Sequence, residues 1–235
     1  MESNGAGEIV LEPGDMKRAI APLRLVFWGG ILCVLDVRFN GFDLFNDVVG
    51  ALLIAWGVFR LGGFQVHDRY RLAMRFVQIM SLMYIAAAVN AYLHYDEIPR
   101  SIAFLLHLYG IAKMAATVVF CVAMRWLCLA AGLTRSQRSW KTTTILFTVV
   151  YLVPWGLLHL VWIGCIITGK SFNVHIGLAV LLVLVIFAVP LIHLFVSTSR
   201  MRREAASIPA RADAIEGVGA HPWPEGPVRP SGPMQ

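Results

Sequence analysis

The stretch Ile102–Met124 reads IAFLLHLYGIAKMAATVVFCVAM and holds a single charged side chain, Lys113, in 23 residues. The hydrocarbon core of a bilayer is about 30 Å thick, and an α-helix needs about 20 apolar residues to cross it. A run of this length is too long for an ordinary core helix of a soluble domain. It therefore predicts a helix that crosses a membrane.

Other apolar runs repeat this pattern on both sides of that stretch. The chain has 235 residues, of which 58% are hydrophobic and 14% charged, with a mean hydropathy of +0.68. Soluble domains have about 45–50% apolar and about 25% charged residues, so this composition excludes a soluble globule. Five further spans are predicted, at Ala19–Val37, Asp47–Phe64, Phe76–Tyr95, Thr143–Ile167 and Ile176–Ser197.

These spans are all predicted to be helices. Hydrocarbon offers no partner for a free backbone group, so only helices and closed barrels cross it, and the runs lack the two-residue alternation of barrel strands. The predicted fold class is all-α, a polytopic integral membrane protein with six transmembrane helices.

The positive charges predict the orientation of the spans. Of the 20 Lys and Arg residues, sixteen fall in connections on one side, three fall on the other, and Lys113 lies within a span. Because basic loops are retained in the cytoplasm, both termini are predicted to be cytoplasmic. The expected divisions are a cytoplasmic N-terminal segment 1–18, a six-helix transmembrane domain 19–199, and a cytoplasmic, disordered, Pro- and Gly-rich tail 200–235.

The same charges indicate the partners. They bracket the apolar runs and do not alternate with exposed aromatic residues, so we expect contacts with the bilayer and its anionic headgroups at the cytoplasmic face, and none with nucleic acid. A membrane-protein partner or a homo-oligomer is also open. The four cysteines lie inside apolar runs without metal-ligand spacing, so no metal site is predicted.

The connection between the first two spans is the most polar outer feature. Asp36, Asp43 and Asp47 lie within twelve residues of each other there. They are candidates for an external vestibule that attracts a cation or a substrate. The alternative is structural, with Asn46 capping the second helix and Asp47 stabilising its positive N-terminal end.

This hairpin also carries a resemblance. The run Gly41–Gly50, GFDLFNDVVG, continued by Gly57–Leu61, GVFRL, is similar to hairpins of uncharacterised bacterial multi-pass membrane proteins, over about Leu23 to Gly62. The resemblance implies a multi-pass protein of the bacterial cytoplasmic (inner) membrane. It implies no activity.

Lys113 is the most costly polar residue within the predicted spans. It lies about eleven residues, or about 16 Å, from the external end of its span, which puts it near the bilayer midplane. A charge facing lipid at that depth costs several kcal/mol, so we expect Lys113 to face the bundle interior, with its ammonium rising toward the level of Asn90. The two interpretations are a buried packing residue and a member of a solute or proton path.

Three histidines also lie within spans. Counting from the external helix ends, His107 and His159 share a depth, whereas His193 lies near the cytoplasmic end. Paired imidazoles on facing helices hold haem b in membrane bundles, but hydrogen-bonded packing histidines are the more common case. No cofactor is predicted.

Two further features bear on helix packing. Pro154 and Pro190 are predicted to bend their helices, because each proline removes one backbone hydrogen bond. Ala51 and Ala55, four residues apart, mark a face where another helix can approach closely.

These features leave three functions open. A small-solute or ion transporter or channel subunit is indicated by Lys113, the bent helices and the acidic outer hairpin. A non-catalytic partner or assembly subunit is indicated by short connections and small-residue faces, and a b-type haem membrane protein by the histidine pair. No nucleophile motif, zinc-protease motif or phosphate-binding loop is present, so no enzymatic activity is predicted.

Overall fold

The structure is a computed structural model that describes residues 13–34, 38–39, 42–43, 47–92, 99–170 and 179–219. Side chains are described for 17–33, 47–89, 99–170 and 185–207. Six helices occupy almost all of this: α1 (Pro13–Val34), α2 (Asp47–Gly62), α3 (Asp68–Tyr92), α4 (Arg100–Ala130), α5 (Thr134–Thr168) and α6 (Ala179–Gly219). The prediction of an all-helical protein is confirmed, and each predicted span overlaps one helix.

One small departure lies between α1 and α2. Residues Arg38–Phe39 (β1) pair antiparallel with Phe42–Asp43 (β2), with Arg38 opposite Asp43. The connection between the first two predicted spans therefore contains a short antiparallel strand pair.

Four of the helices are long and apolar enough to cross a membrane. They are Asp68–Val89 of α3, all of α4 and α5, and Val185–Ser207 of α6. Of the other two, α1 carries Lys17, Arg18 and Arg24 within its first twelve residues. At 16 residues, α2 is about 24 Å long, shorter than the roughly 30 Å hydrocarbon core.

Left-handed glycines end α4 and α5. After α4, Gly132 has φ +68°, its N–H donates to the Leu129 carbonyl, and the Leu133 N–H reaches back to the Cys128 carbonyl. These two bonds satisfy carbonyls that the end of the helix would otherwise leave free. The turn from α4 to α5 is therefore short, and the two helices pack against each other. Gly169, with φ +69°, plays the same role after α5.

A π-helical segment interrupts α5. Residues Phe147–Leu152 are π-helical, and the Val153 N–H donates to the Thr148 carbonyl five residues earlier. Pro154 follows directly, without an N–H of its own. A π segment, which widens the helix locally, therefore precedes this proline. The predicted bend at Pro154 stays a prediction. Nearby, the Tyr151 hydroxyl donates to the Phe187 carbonyl of α6 at 2.7 Å.

Most of the buried side chains collect at one end of the helices. Two turns meet there, because the His67 ring before α3 contacts Trp126 of α4 at 5.1 Å. The carboxylate of Glu204 on α6 reaches Ser136 at the start of α5. We call this the basic end, defined by the turns Gly63–His67 and Ala131–Leu133 and by residues 200–207 of α6. Fully buried side chains here include Leu61, Tyr70, Leu127, Leu133, Trp140 and Met201.

The other end of the helices, which we call the opposite end, is much more open. No residue of Val153–Thr168 in α5 is buried, and Leu157, Leu160 and Ile167 are each more than half exposed. Exposed apolar side chains on helices of this length are what a lipid environment accommodates.

The α1–α2 pair packs backbone against backbone. A Cβ on Gly57 would lie 2.6 Å from the Pro22 carbonyl, and one on Gly29 would lie 2.6 Å from the Gly50 carbonyl. Ala51 and Ala55 are buried, as expected for a close-packing face.

The last helix extends further than expected. The sequence predicted that the helical region ends near residue 199, whereas α6 continues to Gly219. Met201 and Ala205 are fully buried at the basic end, which explains why the helix persists beyond its apolar run. Residues 220–235 lie outside the described residues, and the division into segments stays a prediction.

Candidate functional site

Lys113 lies on α4 and points toward α3. Its Nζ is 3.6 Å from the centroid of the Tyr84 ring. An ammonium over an aromatic face gains about 2 kcal/mol when the pair is away from water, and this partly offsets the cost of burying the charge. Within the described part of the chain, Lys113 has no carboxylate within ion-pair distance. The aromatic face is therefore its direct partner.

Residues of two more helices surround this contact. The Tyr84 hydroxyl lies beside Cys33 of α1. The Cys33 thiol in turn points at the Asp47 backbone carbonyl, the first of α2, at 3.7 Å. Both Cys33 and Asp47 lie near enough to interact electrostatically with Lys113. Side chains of α1, α2, α3 and α4 thus meet around one lysine.

Tyr109 adds a second polar group on the same face of α4. It precedes Lys113 by one helical turn, and residues four apart lie one above the other. Its hydroxyl is buried, and no hydrogen-bond partner for it lies among the described residues. It also interacts electrostatically with Tyr84. We call Cys33, Asp47, Tyr84, Tyr109 and Lys113 the lysine cluster.

A different face of α4 carries the histidine pair, His107 and His159. Their Nδ1 atoms are 2.9 Å apart, so one ring donates a proton to the other. The His107 ring stacks on Trp162 at 5.5 Å. Gly110 makes room for this arrangement, since a Cβ there would lie 2.5 Å from Nε2 of His159. The depth estimated from the sequence therefore did put these two imidazoles at one level.

Lys113, Asn90, His107 and His159 are the intramembrane polar candidates from the sequence, and the three with described side chains lie in two places. Lys113 belongs to the lysine cluster, whereas His107 and His159 form their own pair with α5. On α4, Lys113 follows His107 by six residues, so at 100° per residue the two side chains leave the helix about 120° apart. The Asn90 side chain lies outside the described residues. Tyr84 is the group found over the lysine.

The candidate vestibule is described only in part. Asp47 begins α2 and is exposed, as expected for an acid at a helix N-terminus. For Asp43 the backbone alone is described, in β2. Asp36 lies outside the described residues. Whether the three carboxylates converge stays a prediction.

Sequence reasoning missed a buried network between α5 and α6. Thr143 Oγ1 is 2.9 Å from His193 Nδ1 and 2.7 Å from Ser197 Oγ, and Ser139 Oγ is 2.8 Å from Ser197 Oγ. Ser139, Thr143 and Ser197 are buried and hydrogen bonded across the two helices, so this network holds α5 and α6 together. The signal was present: Ser139 and Thr143, like His193 and Ser197, are four residues apart.

Sequence reasoning also missed that Glu204 of α6 caps the N-terminus of α5. The Glu204 carboxylate accepts hydrogen bonds from the backbone N–H groups of Arg135 and Ser136 at 3.2 and 2.7 Å, and from the Ser136 hydroxyl at 2.6 Å. These N–H groups belong to the first turn of α5, where a negative charge is favourable.

Neither cluster resembles a metal centre. Within the described ranges, no three His, Cys, Asp or Glu side chains lie together as ligands for one ion. Comparison with protein families, with curated proteins and with solved structures finds no match to this chain. The geometry of the clusters is therefore the basis for any functional assignment.

Proposed function

We propose that this chain is a small-solute or ion transporter, or a channel subunit, of the bacterial cytoplasmic membrane, with six spans and both termini in the cytoplasm. The observation that carries the proposal is Lys113, whose Nζ lies 3.6 Å from the Tyr84 ring centroid in the middle of an apolar helix. Ionisable residues within spans are costly and usually line substrate or ion pathways.

Contributions from several helices support this function. Cys33, Tyr84 and Lys113 come from three helices, and Asp47 at the start of a fourth acts on the lysine from the outer side. A residue that served packing alone would not need this polar environment, because a leucine would fill the same volume at lower cost.

The distribution of basic residues supports the orientation. Sixteen of 20 Lys and Arg residues belong to connections predicted on one side, and the turns Gly63–His67 and Ala131–Leu133 meet at the basic end together with residues 200–207. Placing this end in the cytoplasm agrees with the retention of positive charge there.

Reporter fusions test six spans against four. An alkaline phosphatase fused after Gly41 is active if α1 and α2 both cross, and inactive if the pair stays on the cytoplasmic side. A fusion after Lys170 serves as the external control and one after Gly63 as the internal control. Activity after Ala206 would place the C-terminus outside and contradict the orientation.

Transport itself is tested with the purified protein in proteoliposomes. We expect flux of at least one member of a panel of small ions and neutral solutes, abolished by Lys113→Met. Lys170→Met, in the exposed turn after α5, is the matched control and should transport normally. Equal flux with Lys113→Met would remove this residue from the path.

A second function, that of an assembly subunit or homo-oligomer, is favoured by the exposed outer part of α5. Val153–Thr168 has no buried residue, and a Cβ on Gly156 or Gly164 would meet nothing within 4 Å. Small residues facing outward allow a second helix to approach. Co-purification of a stoichiometric membrane protein, with no flux in the panel, would favour this function over transport.

The third function, a b-type haem protein, has less support. Two imidazole nitrogens on opposite sides of one metal ion would be about 4 Å apart, given metal–nitrogen bonds of about 2 Å. The Nδ1 atoms of His107 and His159 are 2.9 Å apart and share a hydrogen bond. A Soret band in the absorbance spectrum of the purified protein, lost in the His159→Ala variant, would support the haem function.

A further inference from the structure

Among the described residues, two polar atoms on one face of α4 have no hydrogen-bond acceptor. The Tyr109 hydroxyl is buried, and no partner for it lies in the described part of the chain. The Lys113 ammonium has three donors and contacts the Tyr84 ring, which accepts no conventional hydrogen bond. Buried polar groups nearly always have a hydrogen-bond partner. Two neighbouring donors without an acceptor therefore indicate that an acceptor is missing.

The two groups are placed to act on one ligand. Tyr109 and Lys113 are one turn apart on α4, which separates their Cβ atoms by about 5–6 Å. The Tyr84 ring lies beside both, under the ammonium and within electrostatic range of Tyr109. The Tyr84 hydroxyl lies beside Cys33 of α1, so side chains of three helices surround the ammonium.

The chemistry of these groups selects the charge of the ligand. An ammonium and a phenol both donate hydrogen bonds, so the ligand must accept two of them. A negative charge would be stabilised by the ammonium, whereas a cation would be repelled by it. Asp47 lies in the neighbourhood of Lys113, and its negative charge lowers the cost of the buried ammonium.

We infer that Lys113 and Tyr109 bind the carboxylate of a small monocarboxylate anion, one oxygen to each donor. This inference rests on the transport function proposed above and names the class of its substrate. The ammonium supplies the charge, and the phenol sets the position of the second oxygen. No covalent step is involved.

Three small molecules of similar size test the charge preference. Acetate carries the carboxylate, acetamide is its neutral counterpart, and methylammonium is a cation. For the full-length protein in detergent, we expect acetate to raise the thermal unfolding temperature, and acetamide and methylammonium to leave it unchanged. In proteoliposomes we expect acetate to be the solute that moves.

Two variants assign the effect to these residues. Lys113→Met should abolish both the thermal shift and acetate flux, while Lys170→Met should keep both. Should Lys113→Met fail to fold, Tyr109→Phe remains, because it removes only an unpaired hydroxyl and leaves the fold unstrained. It should weaken acetate binding about tenfold, the effect of losing one hydrogen bond to a charged group.

The outcomes separate this inference from the transport proposal. Flux of methylammonium or acetamide, with no acetate effect, would overturn the anion inference and leave transport standing. Acetate binding that depends on Tyr109 and Lys113, without flux of any solute, would support the anion site and overturn transport. Absence of both binding and flux, or acetate binding unchanged in both variants, would overturn the inference.

Discussion

The basic end and the opposite end of this helical bundle use polar residues in different ways. At the basic end, Ser139, Thr143 and Ser197 are buried and hydrogen bonded to each other, and Glu204 satisfies the start of α5. Toward the opposite end, the Tyr109 hydroxyl has no described partner and Lys113 rests on an aromatic ring. Satisfied polar groups hold helices in place, whereas unsatisfied ones remain available to a ligand.

Among substitutions that test this difference between the two ends, we expect the largest loss of stability at Trp140. Its side chain is fully buried at the basic end and contacts Phe120 edge to face at 6.3 Å. Trp140→Ala should lower the free energy of unfolding in detergent by about 3–5 kcal/mol, because it leaves a large cavity.

Trp155→Ala is the matched control at the opposite end, where the indole is 37% exposed. It should cost about 1 kcal/mol or less, since little buried area is lost. Equal losses for the two variants would mean that the two ends are equally packed. Trp140→Phe should cost less than Trp140→Ala, because its indole N–H has no described partner to lose.

The next effect is at Glu204. Glu204→Ala should lower the free energy of unfolding by about 1–3 kcal/mol, since two backbone N–H groups and the Ser136 hydroxyl lose a charged acceptor. Unfolding in detergent measures it. Arg203→Ala, at the exposed neighbouring position, should change little. If both variants behave alike, the carboxylate does not serve as a cap.

A smaller effect is expected at the histidine pair. Gly110→Ala should cost about 1–3 kcal/mol, because the new Cβ would lie 2.5 Å from His159 Nε2. Adding His159→Ala should relieve the clash and restore part of that stability, which a double-mutant cycle measures. Gly156→Ala, where the Cβ meets nothing within 4 Å, should not destabilise. Additive losses would show that Gly110 and His159 are not in contact.

The smallest effect is expected from shortening α6. Removal of residues 208–235 keeps Met201, Glu204 and Ala205, which make the contacts at the basic end, and should change the unfolding free energy by about 0.5 kcal/mol or less. Removal from Glu204 onward should cost at least as much as Glu204→Ala. A large loss from the shorter deletion would mean that the final residues also pack against the bundle.

Features that follow from the bilayer thickness, or from residue spacing within one helix, could be predicted from the sequence. Apolar runs predicted the six helices, and counting from helix ends placed His107 and His159 at one depth. The direction of Lys113 also agrees with the expectation that it avoids lipid, since its Nζ lies over Tyr84 of α3.

Contacts between side chains of two different helices could not be predicted. The contact of Lys113 with Tyr84 was not predicted, because the rotation of α3 about its axis is not visible in its own sequence. The expected proximity of Asn90 to Lys113 stays a prediction. The Glu204 cap joins residues 68 positions apart. The continuation of α6 past residue 200 reflects burial of Met201 and Ala205 by other helices, whereas the composition after residue 200 indicated a tail.

The π segment in α5 sets the rotational phase between its two halves. A π turn accommodates one residue more than an α turn, so Phe147–Leu152 acts as a one-residue insertion. Deleting one residue within it would rotate Val153–Thr168 by about 100° relative to Thr134–Leu146. With Ser139 and Thr143 still facing α6, His159 would then turn away from His107. The segment therefore allows one continuous helix to keep its first half against α4 and α6 while its second half presents His159 to His107 of α4.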